Sequence, residues 1–324
     1  MNILICDDSA LARKTLYRTV STEISAKIFF GENGQEAVDI LSTSDIDLMF
    51  LDLTMPVMDG FEVLSSLPVS DYNTQIVVVS ADIQEEAKAR CLSLGANAFI
   101  EKPYKIDQIQ SVLAPFQHSS SEPEPSLPEA DEAQFDIDAT SKFKELTNIA
   151  LGRGAAILSD RVGQFINLPI PTVGYFEASE LKMIISDVLQ RDSMHAVTQR
   201  FVGGGIHGES LVCMRGKNIT ELAAKLGLGG ASISQSELVM NIASLLVSTY
   251  LNSLAHQLVR SFSLRQPILL DHNVCEYLTE HQIEQGAFTI EFTYFAEELD
   301  FECEMLLLLD PDSLEVIKSL MERL

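Results

Sequence analysis

Basic residues are scarce in this sequence. Lysine and arginine total 22 against 47 aspartates and glutamates in 324 residues, which gives a formal net charge of −25 at pH 7. Nucleic acids and anionic membranes are bound by basic surfaces, so this imbalance argues against either of them as the main partner. The sequence therefore predicts a protein that binds no nucleic acid.

Paired cysteines and long apolar runs are also lacking. The five cysteines are scattered without paired spacing, which favours a reducing cytoplasm over a disulfide framework or a zinc site. The longest apolar runs, such as Met305 to Leu309, are too short to span a bilayer, and no signal peptide precedes the first apolar run. We expect a cytoplasmic protein with no membrane insertion.

Length and composition predict two globular domains. Apolar residues make up 46% of the chain and charged residues 21%, as in soluble proteins. Residues 117–136 have no lysine or arginine and are rich in Glu, Pro and Ser, a composition that cannot bury enough apolar surface to fold. We therefore predict domains at 1–116 and 137–324, joined by an acidic linker at 117–136.

Four short apolar runs in the first domain each end in a polar residue. Asp7 and Asp8 follow the first run, Asp52 follows Leu48 to Leu51, and Ser80 and Lys102 follow two later runs. Runs of this kind alternate with helical segments, which predicts an α/β domain with a doubly wound, five-stranded parallel sheet. In such a sheet the carboxyl ends of the strands share one edge, so these side chains should gather there.

The residue types at this edge suggest a chemistry. Taken alone, Asp52 could be a nucleophile, a metal ligand or the N-cap of the next helix. Three clustered carboxylates would repel one another unless a cation such as Mg²⁺ joined them. Lys102 and Ser80 could then supply a positive charge and a hydrogen bond to a phosphoryl group carried on Asp52.

The same motifs resemble those of the CheY-like receiver domains of response regulators. The likeness consists of the paired acids, Asp52 in D-x-x-M-P-x-M-D-G, Ser-Ala after the fourth strand and Lys-Pro after the fifth. The resemblance implies that a sensor histidine kinase phosphorylates Asp52, and that Ser80 and Lys102 bind the phosphoryl oxygens. It also implies Mg²⁺ at Asp8 and Asp52, with Asp7 nearby and the Thr54 carbonyl as a ligand, and an aromatic switch at Phe99.

The second domain carries an internal repeat. The segment Glu145 to Ala150 recurs as Leu238 to Ala243, each at the start of a long helical stretch. A β-hairpin pattern follows each copy, at Met194 to Arg215 and at Gly286 to Asp310, and a closing helix is predicted from about Asp312 to Arg323. Two such halves predict an α+β domain with internal pseudo-twofold symmetry.

Three polar residues on the first helix of this domain form a stripe. Ser141, Glu145 and Asn148 fall on one helical face, and Pro171 completes the pattern S-x3-E-x2-N-x22-P. A polar stripe is ordinarily a solvated face. Asn148, however, is a poor helix former in mid-helix, where Glu or Lys would suit an exposed position better.

This pattern resembles the active-site signature of the CheC/CheX/FliY family of receiver phosphatases. The resemblance implies that Asn148 orients the attacking water, while Glu145 pairs with the active-site lysine of a phosphorylated CheY-like receiver. In the second copy Asn241 is kept, but Leu238 occupies the position that matches Glu145. We expect one competent site, with Asn241 as the candidate for a second.

These features lead to a main hypothesis and two rivals. The main hypothesis is a response regulator whose output domain hydrolyses phospho-aspartate, on a separate receiver or on its own Asp52. One rival is a non-catalytic adaptor that binds a partner in chemotaxis or motility signalling when phosphorylated. A haloacid-dehalogenase-type phosphatase is disfavoured because Thr54 stands where that chemistry needs a second acid. A homodimer is left open.

Overall fold

The computed structural model describes residues 1–67, 73–119, 138–189, 194–216, 219–229, 233–270 and 286–323. Backbone contacts divide the chain into two compact units, Met1–Glu145 and Leu146–Leu324. The predicted linker at 117–136 falls, from residue 120 onward, outside the described residues.

The first unit contains a five-stranded parallel sheet flanked by helices. The strand order is β2-β1-β3-β4-β5, which confirms the predicted doubly wound topology. The elements are β1 (Asn2–Cys6), α1 (Ala10–Glu23), β2 (Lys27–Gly31), α2 (Gly34–Thr43), β3 (Leu48–Leu51), α3 (Gly60–Ser66), β4 (Gln75–Ser80), α4 (Glu85–Ser93), β5 (Ala98–Glu101) and α5 (Ile106–Leu113), followed by a 3₁₀ helix (Ala114–Ser119).

Local sequence signals set these elements. Every residue of β3 is buried, as expected for a central parallel strand covered on both faces. The side chains of Ser9 and Asn33 cap α1 and α2, each accepting a hydrogen bond from a first-turn backbone N–H. Asp59 and Glu62 form a reciprocal capping box at α3. The helices therefore begin directly after the strand ends that carry the polar residues.

The second unit contains a seven-stranded antiparallel sheet with helices. The strand order is β10-β7-β8-β12-β11-β6, and β9 pairs with β7. Helix α6 begins in the first unit and continues into the second. The elements are α6 (Ala139–Val162), β6 (Thr172–Phe176), α7 (Ala178–Leu189), β7 (His195–Gly203), β8 (Ile206–Gly216), α8 (Ile219–Lys225), α9 (Gln235–Leu258), β9 (Ser263–Leu264), β10 (Ile268–Leu270), β11 (Ala287–Ala296), β12 (Phe301–Leu309) and α10 (Pro311–Met321).

Both predicted hairpins are present. Strands β7 and β8 pair in antiparallel fashion through a turn at Gly204 and Gly205, whose positive φ angles of 59° and 84° suit glycine. Strands β11 and β12 form the second hairpin. Strand β6 and helix α7, which were not predicted from the sequence, precede the first hairpin. The internal pseudo-twofold repeat stays a prediction.

Helix α9 is longer and more apolar than the unbroken apolar runs of the sequence suggested. Among the described residues it alone passes that test, with 24 residues and a mean hydropathy of 1.4 over its most apolar window. Of that window, 67% is buried, and Tyr250 packs against Phe292 of β11 with ring centroids 5.0 Å apart. A helix that packs on a sheet in this way needs apolar residues around much of its circumference.

Candidate functional site

The first sheet brings the predicted polar residues together at its carboxyl edge. Asp7 and Asp8 follow β1, Asp52 follows β3, Ser80 ends β4 and Lys102 follows β5. Carboxylate oxygens of Asp7, Asp8 and Asp52 all lie within 4.8 Å of one another. We call Asp7, Asp8, Asp52 and Lys102 the acidic site.

Lys102 is the buried cation of the acidic site. Its Nζ lies 2.7 Å from Asp7 Oδ2 and 3.4 Å from Asp52 Oδ1. The Lys102 side chain is 4% exposed and that of Asp52 only 1% exposed, so these charges interact with little screening by water. The peptide bond between Lys102 and Pro103 is cis.

The site holds more carboxylates than one ammonium can neutralise. Burial raises the pKa of Asp52 well above its usual value, opposed by Lys102 and reinforced by Asp7. Burial also raises the pKa of Asp7 to about 6, again opposed by Lys102. Burial favours the neutral amine of Lys102, but Asp52 and Asp7 outweigh it and raise its pKa well above the usual value. Lys102 therefore stays protonated, and its single positive charge is shared between Asp7 and Asp52.

The residues present fit a divalent cation. Neither carboxylate oxygen of Asp52 has a hydrogen-bond partner among the described residues, because the Lys102 contact lacks hydrogen-bond geometry. Buried oxygens without a partner are costly unless a ligand completes them. Mg²⁺ favours oxygen ligands from one or two carboxylates. The Asp7, Asp8 and Asp52 side chains could hold that ion.

Arg13, which was not predicted from the sequence to belong to the site, fixes the backbone of Asp7 and Asp8. Its Nη1 donates to the Asp7 carbonyl at 2.7 Å, and its Nη2 lies 2.6 Å from Glu32 Oε1. Arg13 is buried in α1. The available signal was an arginine early in the predicted helix that follows the acid pair. Only the fold shows that its side chain points back to the carbonyl of Asp7.

Gly60 packs so closely against the loop after β3 that this position has no room for a side chain. A Cβ atom on Gly60 would lie 2.3 Å from the carbonyl oxygen of Asp52, too close for any side chain. The Gly60 N–H donates to the Leu53 carbonyl at 2.9 Å. Asp59 caps α3, so its carboxylate is not available to the acidic site.

Ser80 is fully buried and already has a partner. Its Oγ accepts a hydrogen bond from the Asp82 N–H at 3.1 Å. Asp82 is itself buried, and its Oδ1 accepts from the backbone and side chain of Gln84. Burial raises the pKa of Asp82 to about 6, with the Gln84 hydrogen bonds opposing. Asp82 was not among the site residues predicted from the sequence.

Comparison with known proteins identifies this region. Residues 3–114 match the family model of the response regulator receiver domain. The cell cycle response regulators CtrA of Brucella ovis and Brucella abortus are each 35% identical to this chain over 107 residues. Residues 3–114 are a response regulator receiver domain. The match covers 33% of this chain, and the chain spans 45% of the length of each of those relatives.

Solved receiver structures are also similar to this chain. The receiver domain of Francisella response regulator 1452 is 26% identical, with a TM-score of 0.32, covering 35% of this chain and 93% of that chain. A chain of the CheX–CheY–BeF3–Mg complex from Borrelia burgdorferi is 33% identical, with a TM-score of 0.33, covering 36% of this chain and 89% of that chain.

The match to receiver domains indicates which pocket of the family the acidic site corresponds to. Receiver domains are phosphorylated by histidine kinases and bind Mg²⁺ at an acidic pocket, to which the Asp7, Asp8 and Asp52 cluster corresponds. Thr54, the expected carbonyl ligand, is half-buried in the loop after β3. Phe99, the expected aromatic switch, is half-buried in the middle of β5.

The first turns of α6 bring two further charged residues to the receiver domain within the first unit. Glu145 Oε1 lies 3.5 Å from Lys102 Nζ, and the Glu145 side chain is 8% exposed. Lys144 Nζ lies 3.2 Å from Asp8 Oδ2. Glu145, predicted from its motif to meet a receiver lysine, thus contacts the lysine of its own chain.

The other members of the polar stripe are placed more simply. Ser141 is exposed, and its N–H donates to the Asp138 carboxylate at 2.7 Å near the start of α6. Asn148 is half-buried in the part of α6 that belongs to the second unit. Pro171 is buried directly before β6. Asn148 is therefore not a fully buried residue.

The second copy of the motif has a different environment. Asn241 is exposed on α9, whereas Leu238, at the position that matches Glu145, is 7% exposed and packs in the core. Ser234 is the N-cap of α9 and forms a capping box with Glu237. Ser234 and Glu237 are thus partners of each other, and an apolar side chain occupies the position that matches Glu145.

Proposed function

We propose that this protein is a response regulator that accepts a phosphoryl group on Asp52 and removes it with residues of its own α6. The observation that carries the proposal is the contact between Glu145 and Lys102, with Oε1 and Nζ 3.5 Å apart. It joins the residue predicted from the phosphatase-like motif to the lysine of the receiver domain.

The first half of the reaction is transfer of a phosphoryl group to Asp52. A carboxylate oxygen of Asp52 attacks the phosphorus of a phosphohistidine in a sensor kinase. The new P–O bond forms as the P–N bond breaks, and the imidazole nitrogen takes up a proton. Lys102, 3.4 Å from Asp52 Oδ1, is placed to balance the charge of the phosphoryl oxygens. Mg²⁺ held by Asp7, Asp8 and Asp52 would supply further charge neutralisation.

The second half is hydrolysis. A water molecule attacks the phosphorus, the P–O bond to Asp52 breaks, and inorganic phosphate and the free carboxylate are released, with one proton passing to the phosphate or to solvent. In this proposal the Asn148 amide orients the water, because it offers both a donor and an acceptor. Glu145 holds Lys102 through the contact seen within the first unit. Positioning and charge supply most of the acceleration in such reactions.

The favoured substrate is the chain's own phosphorylated Asp52. Glu145 already meets a lysine of the same chain, and tethering raises the effective concentration of the two groups. A separate CheY-like receiver would have to displace this contact first. Phosphorylation and hydrolysis in one chain would make a timer that resets itself, in the cytoplasm where sensor kinases phosphorylate receiver domains.

The proposal is tested by the lifetime of the phosphorylated protein. The full chain is phosphorylated with acetyl phosphate, freed of donor, and followed for release of inorganic phosphate. We expect Asn148→Ala to slow release by roughly 10- to 100-fold, since it removes the group that orients the water. The control is Asn241→Ala, which removes an equivalent amide from the second copy and should leave the rate unchanged.

Protein concentration separates hydrolysis within a chain from hydrolysis between chains. The rate constant should stay constant over a hundredfold dilution if each chain acts on its own Asp52, whereas action on a second chain would slow with dilution. Equal decay of the wild type and Asn148→Ala would reject the enzymatic proposal.

The rival function is a non-catalytic adaptor that binds a partner when Asp52 is phosphorylated. The observation in its favour is Leu238, which is buried where the second copy would need an acid. Partner binding that depends on Asp52, together with a phosphate release rate unaffected by Asn148→Ala, would favour the adaptor.

A further inference from the structure

Two consecutive residues of α6 carry opposite charges and meet opposite charges of the acidic site. Glu145 Oε1 lies 3.5 Å from Lys102 Nζ, and Lys144 Nζ lies 3.2 Å from Asp8 Oδ2. The Lys144 and Asp8 residues are 136 positions apart in the sequence, so no local preference explains their contact. The proposed function uses Glu145 and leaves Lys144 without a role.

Asp8 is one of the three carboxylates that could hold a divalent cation. Its side chain is 12% exposed, so its charge benefits from a partner, and Lys144 donates a hydrogen bond to its carboxylate. Lys144 is 39% exposed, which leaves its ammonium free to move into water when the contact is lost.

We propose that Lys144 competes with Mg²⁺ for the carboxylate of Asp8. An ammonium and a divalent cation drawn to one carboxylate repel each other, and each reduces the negative potential that attracts the other. Lys144 is thus a tethered cation that occupies Asp8 when the metal is absent. The contact of the first turns of α6 with Asp8 therefore depends on whether Mg²⁺ is bound at the acidic site.

The coupling acts in both directions. If Lys144 weakens Mg²⁺ binding by some factor, Mg²⁺ weakens the Lys144 contact by the same factor. The competition does not depend on phosphatase activity, because it involves only Asp8, Lys144 and the cation. A chain that failed to hydrolyse phospho-aspartate would still show it, so the two proposals can fail separately.

Calorimetric titration of the full chain with MgCl2 measures the effect of Lys144 on Mg²⁺ binding. A partly exposed ion pair contributes little, so we expect Lys144→Gln to bind Mg²⁺ about two- to fivefold more tightly than the wild type. Lys144→Arg, which keeps the charge, should bind nearly as the wild type does. The matched control is Lys142→Gln, which removes the same charge two residues away and should change the dissociation constant less. Equal dissociation constants for the wild type and Lys144→Gln, or an equal change in Lys142→Gln, would overturn the proposal.

Chemical labelling of the wild-type protein measures the effect of Mg²⁺ on the contact between Lys144 and Asp8. Acylation of lysine amines is followed by mass spectrometry with and without saturating Mg²⁺. We expect Lys144 to react faster in the presence of Mg²⁺, while Lys142 reacts at an unchanged rate. A Lys144 labelling rate that does not respond to Mg²⁺ would show that the metal leaves its contact with Asp8 intact, and the competition would be refuted.

Discussion

The Nζ atom of Lys102 lies 2.7 Å from Oδ2 of Asp7, closer than to any other carboxylate for which an ion pair is seen. Both side chains are buried, at 4% and 7% exposure. Before phosphorylation, the lysine is thus held mainly by the acid that follows β1. A phosphoryl group on Asp52 would be a stronger partner for Lys102 than the Asp7 carboxylate. Phosphorylation is therefore expected to draw Lys102 from Asp7 towards Asp52.

Replacing Lys102 by methionine should strongly destabilise the protein at neutral pH. The change leaves Asp7, Asp52 and Glu145 buried without their shared cation, and breaking a buried ion pair from one side costs about 3–5 kcal/mol. Urea-induced unfolding of the full chain measures the loss. As a control, Lys88→Met removes a lysine that pairs with two exposed glutamates and should cost no more than about 1 kcal/mol. Similar losses for the two variants would contradict the assignment of Lys102 as a shared buried cation.

Replacing Asp82 by asparagine should stabilise the protein at pH 7 to 8. The folded pKa of Asp82 is about 6 against an ordinary value of 3.8, so its ionisation costs stability as pH rises from about 4 through 6. That difference corresponds to at most about 3 kcal/mol. Asparagine keeps an oxygen for the Gln84 hydrogen bonds but carries no charge. Thermal unfolding between pH 4 and 8 should show a flatter profile for Asp82→Asn.

The control for this profile is Asp45→Asn, since Asp45 is exposed and its contact with Asn2 uses only its backbone carbonyl. The thermal stability of Asp45→Asn should equal that of the wild type at each pH in this range. If Asp82→Asn also followed the wild type, the cost assigned to the buried carboxylate would be wrong.

Replacing Gly60 by alanine should damage the acidic site through the backbone. The added Cβ would lie 2.3 Å from the Asp52 carbonyl oxygen, so the loop carrying Asp52 must shift. We expect a loss of about 2–4 kcal/mol, as for other strained backbone changes, with slower phosphorylation by acetyl phosphate. Gly174→Ala is the control, because a Cβ there meets nothing within 4 Å. Normal stability and phosphorylation of Gly60→Ala would show that the loop tolerates the displacement.

Replacing Ser234 by alanine should affect stability and leave dephosphorylation unchanged. Ser234 caps α9 and shares a capping box with Glu237, so its loss should cost about 1 kcal/mol. Denaturant unfolding measures the cost, and phosphate release from the phosphorylated chain measures the effect on hydrolysis. A slower release at unchanged stability would instead give the second copy of the motif a catalytic part.

Much of the receiver domain could be predicted because its signals are local. Buried runs such as Leu48 to Leu51 and capping residues such as Ser9 and Asp59 specify strands and helix starts within a few positions. The gathering of Asp7, Asp52 and Lys102 followed from one further rule, that parallel strands share a carboxyl edge. Helix α9 was harder, because serine and asparagine interrupt its apolar residues and conceal how far its apolar surface extends.

The sequence by itself determined the strand ends, the helix caps and the chemical types of the site residues, since each depends on a few neighbouring positions. Only the tertiary structure decided which groups meet: Lys102 with Asp7 before Asp52, Arg13 with the backbone of the acid pair, and Lys144 with Asp8. These partners are chosen by how helices and strands pack, and by the need of buried charges to find counterions, which no local pattern encodes.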